Sequence, residues 1–302
     1  MKHEVRLRSI EAITLSYLAV VSSLIVARAA HISHPARLLC GFSVCAALVI
    51  AVSVLAQRFP ENTPLAYATV CCPPALTLYL YSAVGQYCLL LRGRYLDSDV
   101  NQWEQKILGV HPNLVLDRFT SAPLTEFMMV CYASFGFFAV LPPLWLVANG
   151  CRRAAEQYMF SEGLALFTCY LAYLAVPLRG PAVALAGHFE SADLRGFVVT
   201  YLQSRLMEHD PPGSCFPSAH VAVTWTGLLS MRRFISPAAF RAFLPLALCI
   251  TVAVVYNRYH YASDVAAGLV VAALCTVVSS RMESVSAGPG RRAGSRPARS
   301  VE

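Results

Sequence analysis

Charged residues are scarce in this chain of 302 residues, of which only 14% are Asp, Glu, Lys or Arg. A soluble domain usually carries about a quarter charged residues, so the composition argues against an ordinary soluble protein. Hydrophobic residues make up 57% and lie in long runs, as they do in membrane proteins. The formal charge of +7 comes from arginines that flank these runs. We therefore interpret it as a topology and lipid-surface signal, not as a nucleic-acid-binding surface.

The sequence also lacks the ligand spacings that are typical of a metal site. No Cys-x-x-Cys pair or Cys/His zinc pattern occurs, and most of the 11 cysteines lie inside apolar runs. There is no obvious cluster of carboxylates. We predict that the protein binds no metal and needs no cofactor, and that its cysteines are small buried apolar side chains.

Eight apolar segments stand out, each near the ~20 residues that cross a bilayer. They cover approximately 11–30, 38–57, 65–91, 124–148, 160–178, 216–231, 238–256 and 264–281. Because a span must satisfy its own backbone polar groups, the predicted fold is an all-α, multi-pass transmembrane bundle of about eight spans. The first run is slightly long for a signal peptide, so we expect a retained helix. Proline pairs at 73–74 and 142–143 predict kinks or interruptions.

Changes in composition divide the chain into four predicted regions. N-terminal membrane helices occupy 1–91, and a more polar connection with amphipathic surface helices occupies 92–123. The membrane domain that carries the motifs described below covers 124–282. A basic tail at 283–302, rich in Ser, Gly, Pro and Arg, is predicted to be disordered.

The basic residues predict the orientation. With eight spans, arginines at 152–153, 232–233 and 241, together with those of the tail, fall on the same side as the basic N-terminus. That side should be cytoplasmic and should hold both termini. The polar loops at 92–123, 179–215 and 257–263 then fall together on the extracytoplasmic side.

The motif Cys-Phe-Pro-Ser-Ala-His at 215–220 opens the sixth apolar segment. Pro217 suits the first turn of a helix, and a helix N-terminus offers unpaired N–H groups and partial positive charge to an anion. Ser218 adds a hydroxyl donor beside those N–H groups. His220 points from the first turn toward the same spot and is a candidate acid/base.

The motif His-Tyr-Ala-Ser-Asp at 260–264 opens the last apolar segment. If the helix already includes His260, a spacing of four places Asp264 on the same face. A carboxylate bonded to one imidazole nitrogen fixes the tautomer and leaves the other nitrogen free to attack. Each residue alone has an ordinary explanation as a helix cap or an interfacial polar group. Their combination at one membrane face favours a nucleophile with its orienting carboxylate and an acid/base.

The two motifs resemble the second and third signatures of the type-2 phosphatidic acid phosphatase / vanadium haloperoxidase superfamily. Phe-Pro-Ser-x-His, followed about forty residues later by His-Tyr-x-x-Asp, is most similar to its lipid phosphotransferase branch. That branch includes inositol phosphorylceramide synthase and, more distantly, sphingomyelin synthase. The resemblance implies that His260 forms a phosphohistidine, Asp264 orients it, His220 is the acid/base and Ser218 helps to hold the phosphate. It also implies chemistry without a metal.

This chain departs from the phosphatase pattern in its cations. The phosphatases usually carry an arginine six residues before the nucleophilic histidine, where this chain has Val254. If Arg179 begins the first signature, the expected lysine is replaced by Ala172. Arg179 is then the best remaining phosphate ligand, because arginine binds phosphate bidentately, and Arg258 is the next candidate. Fewer cations fit a phosphodiester with one negative charge better than a phosphomonoester.

We therefore predict a lipid phosphotransferase that moves a phosphoryl headgroup from a membrane phospholipid to a hydroxyl acceptor, in the manner of inositol phosphorylceramide synthase. The acceptor is a lipid, an alcohol or water, and with water the protein would be a lipid phosphatase. A third alternative is a non-catalytic membrane scaffold, receptor or transporter. A haloperoxidase is disfavoured, because those enzymes use a richer set of cations.

Overall fold

The protein is all-α in the residues that the computed structural model describes, which are 8–190 and 194–286. In this part of the chain no β-strand occurs, which confirms the predicted fold class. The helices are α1 Ser9–Ala27, α2 Pro35–Arg58, α3 Thr63–Val84, α4 Asp97–Leu108, α5 Pro112–Asp117, α6 Ala122–Ala133, α7 Phe135–Ala148, α8 Arg152–Ala175, α9 Pro181–Ala184, α10 Val198–Met207, α11 Ala219–Met231, α12 Pro237–Tyr256 and α13 Ala262–Ser286.

Among residues 8–190 and 194–286, five helical segments are long and apolar enough to cross a membrane, so this is an integral membrane protein. They are Ser9–Ala27, Pro35–Arg58, Ala122–Ala148, Pro237–Tyr256 and Ala262–Met282. Helix α11 has only 13 residues, fewer than the ~20 that a span needs. It lies among α7, α8, α12 and α13, which surround it with protein. The count of eight spans stays a prediction.

Neither proline pair interrupts its helix. Helix α3 continues through Pro73 and Pro74, and α7 continues through Pro142 and Pro143. The fourth apolar segment breaks instead at Ser134, between α6 and α7, where the Ser134 hydroxyl donates to the Cys131 carbonyl at 2.6 Å. The predicted interruption at the prolines is therefore absent, and a kink at either pair stays a prediction.

The polar connection at 92–123 contains two helices, α4 and α5. Helix α4 buries the acidic side chains of Asp97 and Glu104 and exposes Trp103 and Ile107. Its apolar side faces away from the protein, which fits a helix lying on a lipid surface. The boundaries predicted for the four regions stay a prediction, as does the position of this connection at the membrane surface.

Helix α11 packs closely against α13 and α8 and brings the two sequence motifs together. Gly268 of α13 permits this approach, because a Cβ atom there would lie 2.7 Å from the Ser218 carbonyl oxygen of α11. Small residues allow helices to approach in this way in membrane proteins. Helices α1 and α3 also pack against α8 and share a large apolar core with it.

Both chain ends reach beyond the described residues. Helix α13 continues to Ser286, so the first residues of the predicted tail at 283–302 are helical. The remaining residues of that tail, and the basic residues Lys2 and Arg6 used for the orientation, lie outside the described part. The predicted cytoplasmic location of the termini stays a prediction.

Candidate active site

His260 lies in the turn between α12 and α13, before the first helical residue, Ala262. The backbone N–H of His260 donates to the Val254 carbonyl at 3.0 Å, which folds the turn back onto the end of α12. The side-chain amide of Asn113 in α5 donates to the carbonyls of Val255 and His260, at 2.9 and 3.0 Å. Contacts from the end of α12 and from α5 thus hold the turn. His260 and Asp264 do not lie on one face of a helix, because His260 precedes the helix.

The pairing of His260 with Asp264 nevertheless forms. The Asp264 Oδ2 atom lies 3.4 Å from His260 Nδ1 and accepts from the Tyr261 backbone N–H at 2.9 Å. A carboxylate beside Nδ1 favours the tautomer with the proton on that atom, so Nε2 keeps its lone pair. Asp264 therefore contacts both the start of α13 and the imidazole, and its role in orienting His260 stays a prediction.

Cys215 completes this buried cluster, and the sequence interpretation missed it. Its Sγ atom donates to Asp264 Oδ2 at 2.9 Å and lies 3.5 Å from His260 Nδ1. Burial and the adjacent Asp264 raise the pKa of the Cys215 thiol well above its usual range, so it remains a protonated donor. The ligand atoms of Cys215, His260 and Asp264 lie within 4.8 Å of one another, close enough to share a metal ion. The expectation that no metal binds stays a prediction.

His220 faces His260 from the first turn of α11. The two ring centroids are 5.9 Å apart and the ring planes are inclined at 60°. The Tyr132 ring stacks on the His220 ring with 4.3 Å between the ring centroids, and the Phe135 ring centroid lies 4.5 Å from that of His220. The two histidines are thus close neighbours, and both line the cavity described below.

Ser218 is placed differently from the two histidines. It is fully buried and caps α11, its hydroxyl accepting from the Val221 N–H at 3.4 Å. Its own N–H donates to the Asp264 carbonyl at 3.0 Å, which ties the two motifs together. Ser218 does not line the cavity in front of the histidines. Its role as a phosphate ligand stays a prediction.

A cavity of about 290 Å³ opens in front of His220 and His260, and both candidate arginines line it. The Arg179 guanidinium lies 5.8 Å from the ring centre of Tyr95. Arg258 is only 5% exposed and forms an ion pair with Asp117. Its charge is therefore largely balanced within the protein, whereas no described carboxylate pairs with the Arg179 side chain.

Acidic residues of α4 position the loops around this cavity, although the sequence pattern assigned them to a surface connection. Asp97 accepts from the backbone N–H groups of Arg179 and Gly180, each at 2.9 Å. Glu104 accepts from the Ser263 N–H at 2.7 Å and so caps α13. One sequence signal could have indicated this role. Helix α4 combines acidic and large apolar residues, so a helix with its apolar side on lipid would turn its acidic side toward the protein.

Val254 occupies the position where the phosphatase pattern has an arginine, and its surroundings are apolar too. Val254 is fully buried and packs in a cluster that includes Tyr132, Val221 and Ala253. No cation enters the cavity from this position.

These features define an integral membrane protein with a cavity at the start of two helices, lined by two histidines and two arginines. A family model described as the PAP2 superfamily matches residues 98–278, which is more than half of the chain, so the protein belongs to that superfamily. Its members are phosphatases and phosphotransferases, so this is an enzyme with a function of that type on lipids. No curated protein and no solved structure matches the chain. The superfamily predicted from the two motifs is confirmed, and the branch stays a prediction.

Proposed function

We propose that this enzyme is a lipid phosphotransferase that moves a phosphoryl headgroup from a phospholipid to a hydroxyl acceptor, through a phosphohistidine at His260. The observation that carries the proposal is the placement of the His220 and His260 rings 5.9 Å apart on one cavity, with Asp264 on the Nδ1 side of His260. In its finer form the reaction is inositol phosphorylceramide synthase-like and belongs to sphingolipid metabolism.

In the first step, the lone pair on His260 Nε2 attacks phosphorus. The bond between phosphorus and the diacylglycerol oxygen breaks, and His220, protonated beside the bound anionic phosphate, donates its proton to that oxygen. Diacylglycerol leaves, and the headgroup phosphate remains bonded to His260. Asp264 balances the positive charge that develops on the His260 ring.

In the second step, the acceptor hydroxyl attacks the phosphorus of the phosphohistidine. His220, now neutral, takes the hydroxyl proton while the phosphorus–nitrogen bond breaks and its electron pair returns to His260. Both histidines regain their starting protonation states. Water in place of the lipid or alcohol acceptor makes the same residues a phosphatase.

The cations around the cavity support transfer from a phosphodiester. Arg179 is the best phosphate ligand of this cavity. The charge of Arg258 is already balanced by Asp117, and the Val254 position provides no cation. One guanidinium matches the single negative charge of a phosphodiester. A phosphomonoester carries up to two charges and would need more cations.

The ends of two helices support a site on the extracytoplasmic face. Helix α8 begins at Arg152 and ends at Ala175, near Arg179 of the cavity. Helix α11 begins beside Ser218, and the pair of arginines at 232–233 follows its other end. The basic ends point away from the cavity and would be cytoplasmic.

The nucleophile is tested by trapping the intermediate. Detergent-purified protein is given a phospholipid labelled at phosphorus and quenched in alkali, which preserves phosphohistidine. We expect an acid-labile, alkali-stable label on wild-type protein and on the matched control His209→Ala, an exposed histidine. No label is expected on His260→Ala. A label that persists in His260→Ala would contradict this nucleophile.

The acceptor is tested in the same preparation with a labelled phosphodiester lipid and added ceramide-like, alcohol or inositol acceptors. Transfer predicts label in a new phosphodiester product. Label that appears only in inorganic phosphate or in a free phosphorylated headgroup would replace the transferase with the lipid phosphatase. A phenotype that survives His260→Ala would favour a non-catalytic membrane protein.

A further inference from the structure

Asp210 is an acidic residue of the catalytic cavity to which the steps above give no role. It lies in the loop between α10 and the 215–220 motif, and it lines the same cavity as His220 and His260. The side chain is only partly exposed. A carboxylate beside a phosphate-binding centre repels the phosphate, so its presence there calls for a specific counterpart in the substrate.

The loop holds Asp210 in one place. Tyr81 of α3 donates its hydroxyl hydrogen to Asp210 Oδ1 at 2.6 Å, and the same hydroxyl lies 3.1 Å from Ser214 Oγ. Gly213 has φ +92°, and a Cβ atom there would lie 2.4 Å from Cys88 Sγ, so only glycine fits. Packing between distant parts of the chain therefore holds the Asp210 side chain at the wall of the cavity.

No cation of the described residues forms an ion pair with Asp210. Burial raises the pKa of its carboxyl group, while the hydrogen bond from Tyr81 and the nearby His260 act in the opposite direction. Aromatic rings of Tyr132, Tyr173 and Tyr259 line the same cavity. A carboxylate among tyrosine rings is the environment that binds ammonium groups, through charge and cation–π attraction.

We propose that Asp210 and the surrounding tyrosines form a headgroup subsite for an ammonium group, so that the donor is a zwitterionic phospholipid of the ethanolamine or choline type. This inference rests on the proposed phosphotransferase function. It replaces the inositol donor of the inositol phosphorylceramide synthase-like form with another donor class. Arg179 and Asp210 carry opposite charges on one cavity, as phosphate and ammonium do in one headgroup. An inositol or glycerol headgroup has no cation, so Asp210 would only repel its phosphate.

The first test compares donors that differ only in the headgroup. Purified wild-type enzyme is given phosphatidylethanolamine, phosphatidylcholine, phosphatidylglycerol and phosphatidylinositol, and formation of the phosphohistidine is measured with each. We expect the ammonium-bearing donors to react best. Asp210→Asn should lower kcat/KM for these donors about 10- to 100-fold, because a charged partner is lost. The neutral headgroups should change less than about threefold.

Glu208→Gln is the matched control, because Glu208 is an exposed acid of the same segment and pairs with Arg205. It should leave all four donors unchanged. An equal loss with every donor in Asp210→Asn would mean a structural role and would overturn the inference. A wild-type preference for the glycerol or inositol headgroup would overturn it as well.

The second test measures binding and does not depend on turnover. Calorimetry compares glycerophosphoethanolamine and glycerophosphocholine with glycerophosphoinositol, which are all phosphodiesters, on wild-type protein and on Asp210→Asn. We expect at least one ammonium ligand to bind more tightly than glycerophosphoinositol, and Asp210→Asn to remove that difference. Equal binding of all three would overturn the subsite. If no lipid forms a phosphohistidine, the proposed function fails, and this binding experiment still decides the subsite.

Discussion

The two histidines of the cavity are held by opposite kinds of contact. Hydrogen bonds fix the turn of His260, since Asn113 binds its backbone and Asp264 lies against Nδ1. Aromatic rings hold His220 instead, through stacking with Tyr132 and contact with Phe135. In the described residues, no protein group forms a hydrogen bond with the His220 ring.

This difference matches what the two proposed roles require. A nucleophile must present one nitrogen with a lone pair, so its tautomer and its direction need a carboxylate and a rigid turn. An acid/base must pass a proton between two different oxygens, so its nitrogen has to remain available to the substrate. Stacking restrains the plane of the His220 ring without occupying its nitrogens.

The largest expected effect comes from removing the His220 ring, which the protein holds by aromatic contacts alone. His220→Ala should lower kcat about 10²- to 10⁴-fold with natural donors, because the leaving oxygen is no longer protonated. A donor whose leaving alcohol is acidic needs no such proton and should recover most of the rate of phosphohistidine formation. Rapid-quench measurements with both donors test this. An equal loss with the two donors would show that His220 has another role.

Asp264→Asn should weaken the hydrogen-bonded support of His260. The amide keeps the size of the side chain but loses the charge that stabilises the His260 ring, so kcat should fall on the order of 10²-fold. Asp264 does not line the cavity, so KM should change little. Steady-state kinetics measure both values, with the exposed Asp99→Asn as a control. A rise in KM at unchanged kcat would argue for substrate binding.

Asn113→Ala tests the backbone support of His260. It removes the donor to the carbonyls of Val255 and His260, so the free energy of unfolding should fall by about 1–3 kcal/mol. The looser turn should lower kcat about tenfold. Thermal denaturation and kinetics are measured together, with the exposed Gln102→Ala as the control. An unchanged free energy of unfolding would mean that the turn is stable without Asn113.

Tyr132→Leu tests the aromatic support of His220. Loss of an aromatic contact typically costs about 0.5–1.5 kcal/mol, so kcat should fall about threefold to tenfold. Tyr132→Phe keeps the ring that stacks on His220 and should stay within about twofold. Kinetics of the two variants separate the ring from its hydroxyl group. A larger effect of Tyr132→Phe would assign the hydroxyl a role of its own.

The smallest effect is expected at Cys215. A serine hydroxyl can still donate to Asp264, so Cys215→Ser should retain activity within about threefold. The raised pKa of the thiol keeps it protonated at pH 8.5, where an ordinary cysteine is about half ionised. Alkylation followed by mass spectrometry at rising pH should therefore modify the exposed Cys151 before Cys215. Early modification of Cys215 would contradict the protonated state.

The sequence predicted the superfamily and the fold class because the signals for both are local. The residues of each motif lie within six positions, and apolar runs identify membrane helices without knowledge of their neighbours. The local pattern was less informative about geometry. It allowed interruptions at the proline pairs, where both helices are continuous, and it left open whether the last helix includes His260, whereas that helix begins at Ala262.

The supports of the cavity could not be predicted, because their partners are far away in the chain. Asn113 and Val255 are 142 residues apart, Arg258 and Asp117 are 141 apart, and the hydroxyl group of Tyr81 reaches a carboxylate 129 residues away. Along the chain, Asn113 and Asp117 are polar residues of a surface connection. Only packing turns them inward.

The sequence by itself determined that this chain enters a membrane, belongs to a phosphatase and phosphotransferase superfamily, and carries two histidines and a carboxylate in local motifs. The tertiary structure decided what surrounds them. It pairs Arg258 with Asp117, turns Ser218 toward α13 and places Asp210 at the wall of the cavity. The physical reason is that residue types and short spacings are properties of neighbours in the chain. Charge balance and side-chain direction depend instead on contacts between helices that are far apart in sequence.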